Sequence, residues 1–177
     1  LYFGSVAPGG YAWMIPKRGG ANIGLGVQPR FARGRPLRKF LTEFLTRYDG
    51  RITYRGGGLL PMSGAIRRLV KPPHVLVGDS AGMVFPSNGA GIIPAMVAGR
   101  IAGQVIAEHV RDGTPLTEYE RIWNAQMGRE MQASQRAAWL GSVLFRMPDL
   151  LVNIALSRLS RPFVWRAITC QPTFGLF

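Results

Sequence analysis

The sequence predicts a mixed fold of α+β and α/β character, and three patterns lead to this prediction. Two strand-like segments, 10–16 and 22–27, are separated by a glycine turn and predict an antiparallel hairpin. The apolar segment 75–77 precedes a glycine-rich loop and a helix that begins near Gly91. This order is typical of a buried strand in a parallel sheet followed by its helix. Helical periodicity resumes near Glu118 and predicts a helical C-terminal region.

The helices of the predicted fold follow from the spacing of apolar and small residues. Apolar residues recur at helical spacing from Leu37 to Tyr48, and the pair Asp49-Gly50 ends the pattern. This spacing predicts an amphipathic helix that packs one face on the core. Small residues fall on one face of the helix after Gly91, and we expect that face to pack on a sheet: Ala95, Gly99 and Gly103.

Local sequence patterns also predict where the C-terminal helices begin and end. Residues 117–120 have the pattern of a capping box, so a helix start is predicted near Glu118. We expect this helix to break at Gly141 and to end by Met147, with a further apolar helix opened by Pro148. The core face of the helix that begins near Glu118 is predicted to carry the apolar residues Tyr119, Ile122, Trp123, Met127 and Met131.

The composition excludes several classes of protein. Hydrophobic residues make up 47% of the 177 residues, which favours a packed core over disorder. Cys170 is the single cysteine, so an intrachain disulfide is excluded, and the thiol is expected to be packed. The two histidines lie far apart, and we expect no metal site. No apolar stretch is long enough to span a bilayer and no signal peptide opens the chain, so a cytoplasmic location is expected.

The charge is strongly positive and unevenly distributed. Lys and Arg number 22 against nine Asp and Glu, a net charge of +13, and residues 1–60 hold ten basic and two acidic side chains. Such a field attracts nucleic acid, anionic lipid or phosphorylated substrates, although a solvated surface explains it equally well. No nucleic-acid motif accompanies it, so we expect no nucleic-acid partner. Arginines interleaved with Leu159, Phe163 and Trp165 predict peripheral contact with an anionic membrane.

The segment Gly78-Asp79-Ser80-Ala81-Gly82 is compatible with two different chemistries. It satisfies the G-x-S-x-G pattern of the α/β-hydrolase nucleophile elbow, in which Ser80 would attack a substrate. That interpretation requires an acid and then a histidine later in the chain, and His109 alone follows, at the end of the next predicted helix. Irregular residues 86–89 also separate Ser80 from that helix, so the hydrolase interpretation is disfavoured.

The second interpretation assigns the chemistry to Asp79 and to the later glycines. A carboxylate at the end of a buried strand can accept hydrogen bonds from sugar or polyol hydroxyls. Backbone N–H groups near 89–91 begin a helix, and its positive end stabilises negative charge on a ring. Glycine is required because a side chain would hold a flat ring away from the backbone. The residues therefore describe a site for ribityl hydroxyls and an isoalloxazine ring.

These segments resemble motifs of a known family. Gly78-Asp79-Ser80-Ala81-Gly82, followed by Pro86 and by residues 89–92, resembles the second FAD motif of flavoproteins of the p-hydroxybenzoate hydroxylase type. Among these flavoproteins, the chain resembles the geranylgeranyl reductase family in three further segments. Residues 8–16 and 22–26 resemble its P-x-x-Y-x-W-x-F-P and N-x-G-x-G strands, with Ile15 in place of phenylalanine, and residues 57–61 resemble its glycine-rich segment.

The resemblance implies an FAD enzyme that reduces isoprenoid double bonds on a prenyl-chain substrate. The resemblance does not identify the proton donor, so the catalytic residues stay unassigned. The FAD-binding residues that it implies are Gly78, Asp79, Pro86, Asn88, Gly89, Ala90, Gly91 and Ile92. The residues that it implies for substrate binding are Tyr11, Trp13 and Pro16.

The resemblance also implies a division of the chain and further partners. Residues 1–62 would be part of a substrate-binding domain with an antiparallel sheet, 63–114 the C-terminal part of the FAD-binding domain, and 115–177 a helical region. The sequence holds no Rossmann G-x-G-x-x-G fingerprint, so we expect a C-terminal portion that is inactive without an N-terminal Rossmann half. Two alternatives are a flavin monooxygenase or halogenase on a hydrophobic small molecule, and a non-catalytic basic module on anionic membranes.

Overall fold

The computed structural model describes residues 1–144 and 146–158. These residues form two compact units, one of Leu1–Gly57 with the described residues from Leu140 onward, and one of Gly58–Trp139. Both helices and strands are present, so the predicted mixed class is confirmed. The division into 1–62, 63–114 and 115–177 stays a prediction. Leu159, Phe163, Trp165 and Cys170, on which the sequence predictions for the C-terminus depend, lie outside the described residues.

The first unit is built on an antiparallel hairpin of β1 (Tyr11–Lys17) and β2 (Gly20–Gly26). The register runs from Tyr11 opposite Gly26 to Lys17 opposite Gly20, so a two-residue turn joins the strands. Gly19 occupies the second turn position with φ +77°, a conformation that glycine adopts without strain. The predicted hairpin is therefore confirmed, with β2 beginning two residues earlier than expected.

Helix α1 (Leu37–Leu45) covers one face of this hairpin. Phe40 and Phe44 are buried, and Phe44 shares a core with Ala12 of β1 and with Ile23 and Leu25 of β2. The predicted helix extended to Tyr48, but it ends at Leu45, and the Tyr48 ring packs edge-on against Phe44 from the following turn. The apolar pattern thus extends to Tyr48 because this residue packs on the same core as the helix, although it lies beyond the end of the helix.

In the second unit, the prediction of a buried parallel strand at 75–77 is wrong. Strand β4 (His74–Val75) is two residues long and pairs antiparallel with β3 (Val70–Lys71). Val77 is 37% exposed rather than buried. The described part of the chain offers no other strand beside β4, so its apolar residues pack on helices instead.

The core of the second unit lies between α2 (Ile92–Asp112) and α3 (Glu118–Leu144). The predicted core face of α3 is confirmed, because Tyr119, Trp123, Met127 and Met131 are buried and Ile122 packs beside them. Their partners on α2 are Ala98, Ile101, Ala102 and Val105.

Two predictions about these helices are corrected. Gly99 and Gly103 are exposed, and a Cβ added at either would meet no described atom within 4 Å. The face of α2 with Gly99 and Gly103 therefore does not pack on a sheet. The face that packs on the core is a different one, which carries Ile101 and Val105. Helix α3 also runs through Gly141 without a break, and α4 (Asp149–Arg158) follows Pro148 as predicted.

The start of α3 supports the neighbouring strand pair. The helix begins at Glu118, as the capping pattern predicts. The Glu120 carboxylate does not turn back on the helix but accepts hydrogen bonds from the N–H groups of Leu69 and Val70, at 2.6 and 2.8 Å. The negative charge therefore satisfies the N–H group of Val70 in β3 and that of Leu69 just before the strand, and it links the start of α3 to β3.

We expect Tyr119→Phe to lower the free energy of unfolding by about 1–2 kcal/mol, because the Tyr119 hydroxyl donates to the Leu76 carbonyl at 3.0 Å. Burial, followed by the charge of Glu120, raises the pKa of Tyr119 to about 12. The unfolded chain ionises this phenol near the ordinary tyrosine pKa of 10.0, so its stabilising contribution is complete below that pH and is lost between pH 10 and about pH 12.

Denaturant unfolding of the intact protein over this pH range checks the prediction. Tyr119→Phe should remove part of the alkaline fall, whereas the same change at the exposed Tyr54 should alter neither the stability nor its pH dependence. Equal behaviour of the two variants would contradict the assignment.

Candidate cofactor and substrate sites

The predicted cofactor motif folds as a tight turn followed by a loop. Val77 is extended and leads into a 3-10 turn, Gly78–Ala81, in which Asp79 is exposed. Asp79 therefore does not follow a buried strand of a parallel sheet, as the sequence predicted. Gly78 has φ +61° and Gly82 has φ +67°, so glycines stand at both ends of the turn where the backbone is left-handed.

The turn brings Asp79 to the N-terminus of α2. A Cβ built on Gly91 would lie 3.5 Å from Asp79 Oδ1 and 3.1 Å from Val84 Cγ2. The absence of a side chain at Gly91 thus leaves a narrow space between the carboxylate and the first helical turn. Among the described residues, the Asp79 carboxylate makes no hydrogen bond or ion pair, and it is available to a ligand hydroxyl.

The loop between the turn and the helix is held by its own backbone. Phe85 N–H donates to the Ala90 carbonyl at 2.9 Å, and Gly89 N–H donates to the Phe85 carbonyl at 2.8 Å. Asn88 Oδ1 accepts from Ala90 N–H at 3.0 Å. Asn88 therefore shapes the turn, and its contact with a cofactor stays a prediction. Pro86 is buried at the base of this loop.

The first turn of α2 presents unpaired donors beside Asp79. Gly91 is the N-cap residue and provides no side-chain cap within the described structure. The N–H groups of the first turn have no acceptor inside a helix, and they lie at its positive end. Ile92 is 77% exposed and Ile93 54% exposed, so the turn is open to a ligand.

Helix α3 holds this loop through residues that sequence reasoning missed. The buried Ser134 hydroxyl accepts from Ser87 N–H at 3.1 Å and lies 2.8 Å from the Ser87 hydroxyl. The neighbouring Gln135 amide donates to the Ser63 carbonyl at 3.1 Å. Ser134 follows Met131 by three positions on the core face, so a polar residue in an apolar stripe is the signal that could have identified it.

Ser80 has a structural role in the turn. Its hydroxyl donates to the Val77 carbonyl at 2.7 Å. The imidazole of His109 lies near the C-terminal end of α2, 2.8 Å from the Thr114 carbonyl. A serine nucleophile requires a histidine within hydrogen-bonding distance, and no described residue supplies one. The geometry agrees with the rejection of the hydrolase interpretation.

We expect Ser80→Ala to leave the activity of the intact protein within about twofold, since the variant loses only an exposed turn hydrogen bond worth about 1 kcal/mol. Initial rates at saturating substrate, measured beside the unfolding free energy, check this. A loss of a thousandfold or more in a folded Ser80→Ala variant would restore the nucleophile interpretation.

In the first unit, the face of the hairpin opposite α1 carries the predicted substrate residues. Tyr11 and Trp13 lie on one side of β1 with ring centroids 5.8 Å apart. The Trp13 indole N–H donates to Asn22 Oδ1 at 2.7 Å, and the ring lies over Gly24, where a Cβ would be 2.4 Å from the indole Cζ2 atom. The asparagine and first glycine of N-x-G-x-G thus orient one indole.

Pro16 does not share this arrangement. Side chains alternate along a strand, so Pro16 lies on the face of β1 that carries Ala12, away from Tyr11 and Trp13. It is exposed near the end of the hairpin. Its predicted substrate contact stays a prediction that this placement does not favour.

The described residues contain no group of three or more His, Cys, Asp or Glu side chains that could hold a metal ion. Within the same residues, no helix has the length and apolar character needed to cross a membrane.

Comparison with known proteins identifies the family. A family model described as the geranylgeranyl reductase catalytic domain matches residues 1–58. Digeranylgeranylglycerophospholipid reductase 2 of Methanococcoides burtonii is 39% identical over 143 residues, which cover 76% of this chain and 35% of that protein. The digeranylgeranylglycerophospholipid reductase of Methanocella arvoryzae is 34% identical over 163 residues, or 88% of this chain and 41% of that protein. The chain belongs to the geranylgeranyl reductase family.

A solved structure extends this likeness to nearly all of the chain. A geranylgeranyl bacteriochlorophyll reductase-like protein from Thermoplasma acidophilum has a TM-score of 0.69 and 26% sequence identity. The match covers 99% of this chain and 47% of that protein. The chain spans well under half the length of the two curated digeranylgeranylglycerophospholipid reductases described above, 35% of one and 41% of the other. The hairpin with Tyr11 and Trp13 falls inside the matched catalytic domain.

Proposed function

We propose that the chain forms part of an FAD-dependent oxidoreductase that reduces geranylgeranyl double bonds of a prenyl lipid. The observation that carries this proposal is the position of Asp79 beside Gly91 at an uncapped helix start. The relatives' names, which specify digeranylgeranylglycerophospholipid reduction, support the choice of substrate class.

The residues present fit a flavin dinucleotide of the p-hydroxybenzoate hydroxylase type. Gly91 leaves a space that a Cβ would fill between Val84 and the Asp79 carboxylate, so a flat ring or its polyol chain can approach the backbone. The carboxylate is a strong acceptor for ribityl hydroxyls. The N–H groups at the start of α2 favour negative charge on the ring of the reduced cofactor.

When bound, FAD would supply the hydride for the reduction, and the protein would position the reactants and exclude water. Asp79 and the first turn of α2 would orient the cofactor. Tyr11 and Trp13 would line an apolar channel for the prenyl chain, since their rings offer a large apolar surface and Asn22 fixes one of them. Geranylgeranyl chains are apolar and extended, so aromatic walls match their chemistry.

Flavin absorbance of the intact protein, followed by anaerobic turnover, tests the proposed function. The reduced enzyme should become reoxidised on addition of a geranylgeranyl lipid, with one double bond saturated for each flavin reoxidised, as mass spectrometry would report. Reoxidation that requires oxygen and inserts it into the substrate would indicate a monooxygenase. A protein without flavin would indicate a binding module.

We expect Asp79→Ala to weaken FAD binding to the intact protein about tenfold, because a charge-assisted hydrogen bond to the cofactor contributes about 1.5 kcal/mol or more. Equilibrium titration of the apoprotein with FAD measures the effect. Asp112→Ala is the matched control, since it removes an exposed carboxylate at the other end of α2 and should leave FAD affinity unchanged. Equal affinities of the two variants would contradict the role of Asp79.

A further inference from the structure

The positive charge of the first unit is most concentrated in residues 30–39, which we call the basic segment. The segment runs from a 3-10 turn (Pro29–Phe31) to the start of α1. Every cation in it is exposed, and the segment contains no acidic residue. Its cations are Arg30, Arg33, Arg35, Arg38 and Lys39.

This concentration of charge opposes the local electrostatics. Helix α1 has no acidic residue in its first turn and no side-chain cap at Pro36, yet Arg38 and Lys39 stand at its positive end. Cations there destabilise a helix. Arg33 has φ +49°, a conformation that costs free energy for a residue with a side chain. Local rules broken together within a few residues are typical of functional surfaces.

Two of the five cations are used within the fold. The Arg30 guanidinium lies 4.8 Å from the Phe31 ring centroid and donates to Gln28. Arg35 pairs with Glu43 and lies 4.5 Å from the Phe40 ring centroid.

The other three cations have no such role. The side chains of Arg33, Arg38 and Lys39 make no hydrogen bond or ion pair to any described residue. Leu37 stands among them and is 48% exposed.

We propose that the basic segment docks the protein on an anionic lipid surface. Cations near such a surface are attracted by its negative potential, and an exposed leucine between them can enter the interface. Single-stranded nucleic acid is disfavoured as the partner, because its binding uses exposed aromatic rings for stacking, whereas Phe40 is buried and Phe31 lies under Arg30. Docking on a lipid surface is separate from the proposed reaction and can be measured without turnover.

Sedimentation of the intact protein with phosphatidylglycerol vesicles, compared with phosphatidylcholine vesicles, tests the surface. The variant combines Arg33→Gln, Arg38→Gln and Lys39→Gln. Each cation near an anionic surface contributes about a fivefold increase in affinity, so the triple variant should bind phosphatidylglycerol about 100-fold more weakly. The unsubstituted protein should lose its binding as salt is raised.

The matched control combines Arg67→Gln, Arg68→Gln and Lys71→Gln, which remove the same charge from exposed positions in the second unit. It should retain vesicle affinity within about threefold, because these cations lie outside the basic segment. Equal losses in the two triple variants would overturn the proposal, as would tighter binding of an RNA oligonucleotide that depends on the same three cations. Lys39→Gln alone should weaken binding about fivefold and guards against misfolding of the triple variant.

Discussion

Gly82→Ala is expected to lower the free energy of unfolding of the intact protein by about 2–5 kcal/mol. Gly82 has φ +67°, and a Cβ there would lie 2.5 Å from the Gly64 carbonyl oxygen. The nearest atoms, the carbonyl oxygen and carbon of Gly64, belong to the backbone, so rotation of a side chain cannot relieve the clash. Denaturant unfolding of the intact protein measures the loss.

Gly128→Ala in α3 is the control for this prediction. A Cβ at Gly128 meets only Asn124, at 3.9 Å, and alanine is a better helix former than glycine. We expect this variant to be more stable by up to about 1 kcal/mol. If Gly82→Ala were as stable as the unsubstituted protein, the close approach of the Gly64 and Gly82 backbones would be wrong.

Gly24→Ala is expected to reduce kcat/KM for a geranylgeranyl lipid about 100-fold, as displacements of about 1 Å at a substrate site can do. The added Cβ would lie 2.4 Å from the indole Cζ2 of Trp13 and 2.7 Å from Cε2. Because the indole is rigid, the whole ring must tilt, and its hydrogen bond to Asn22 would be lost. The result depends on the proposed role of Trp13 in substrate binding.

Gly20→Ala is the matched control in the same strand, since a Cβ at Gly20 meets no described atom within 4 Å. It should leave kcat/KM unchanged. Unfolding free energies of both variants separate a displaced indole from a damaged fold. Full activity of a folded Gly24→Ala variant would exclude Trp13 from the substrate channel.

Some parts of this structure could be predicted from the sequence because they depend on local patterns. The hairpin follows from strand alternation around a glycine turn, and the core face of α3 from residues 119–131 at helical spacing. Asp79 and Gly91 were predicted to share one site because the motif fixes their separation along the chain, and the structure places them side by side; their contact with a cofactor stays a prediction.

Other parts depend on partners that are distant in the chain. The segment 75–77 has the composition of a buried strand, but a strand needs neighbours, and β4 pairs with two residues only. Pro16 was grouped with Tyr11 and Trp13 because all three belong to one sequence motif. Successive side chains of a strand point to opposite faces, so Pro16 lies on the other face of β1. Ser134 and Gln135 were missed because their partners lie far away in sequence.

The hydrogen bonds of Ser134 also set an order for the folding of the chain during synthesis. Ser87 and Ser134 are separated by 47 residues, and a chain emerges from the ribosome with its N-terminal residues first. The loop at 86–89 is therefore complete in sequence well before α3 can hold it. We expect nascent chains that end before Ser134 to have a loop at 86–89 that is cleaved readily by proteases, although they contain every residue from Gly78 to Ile92.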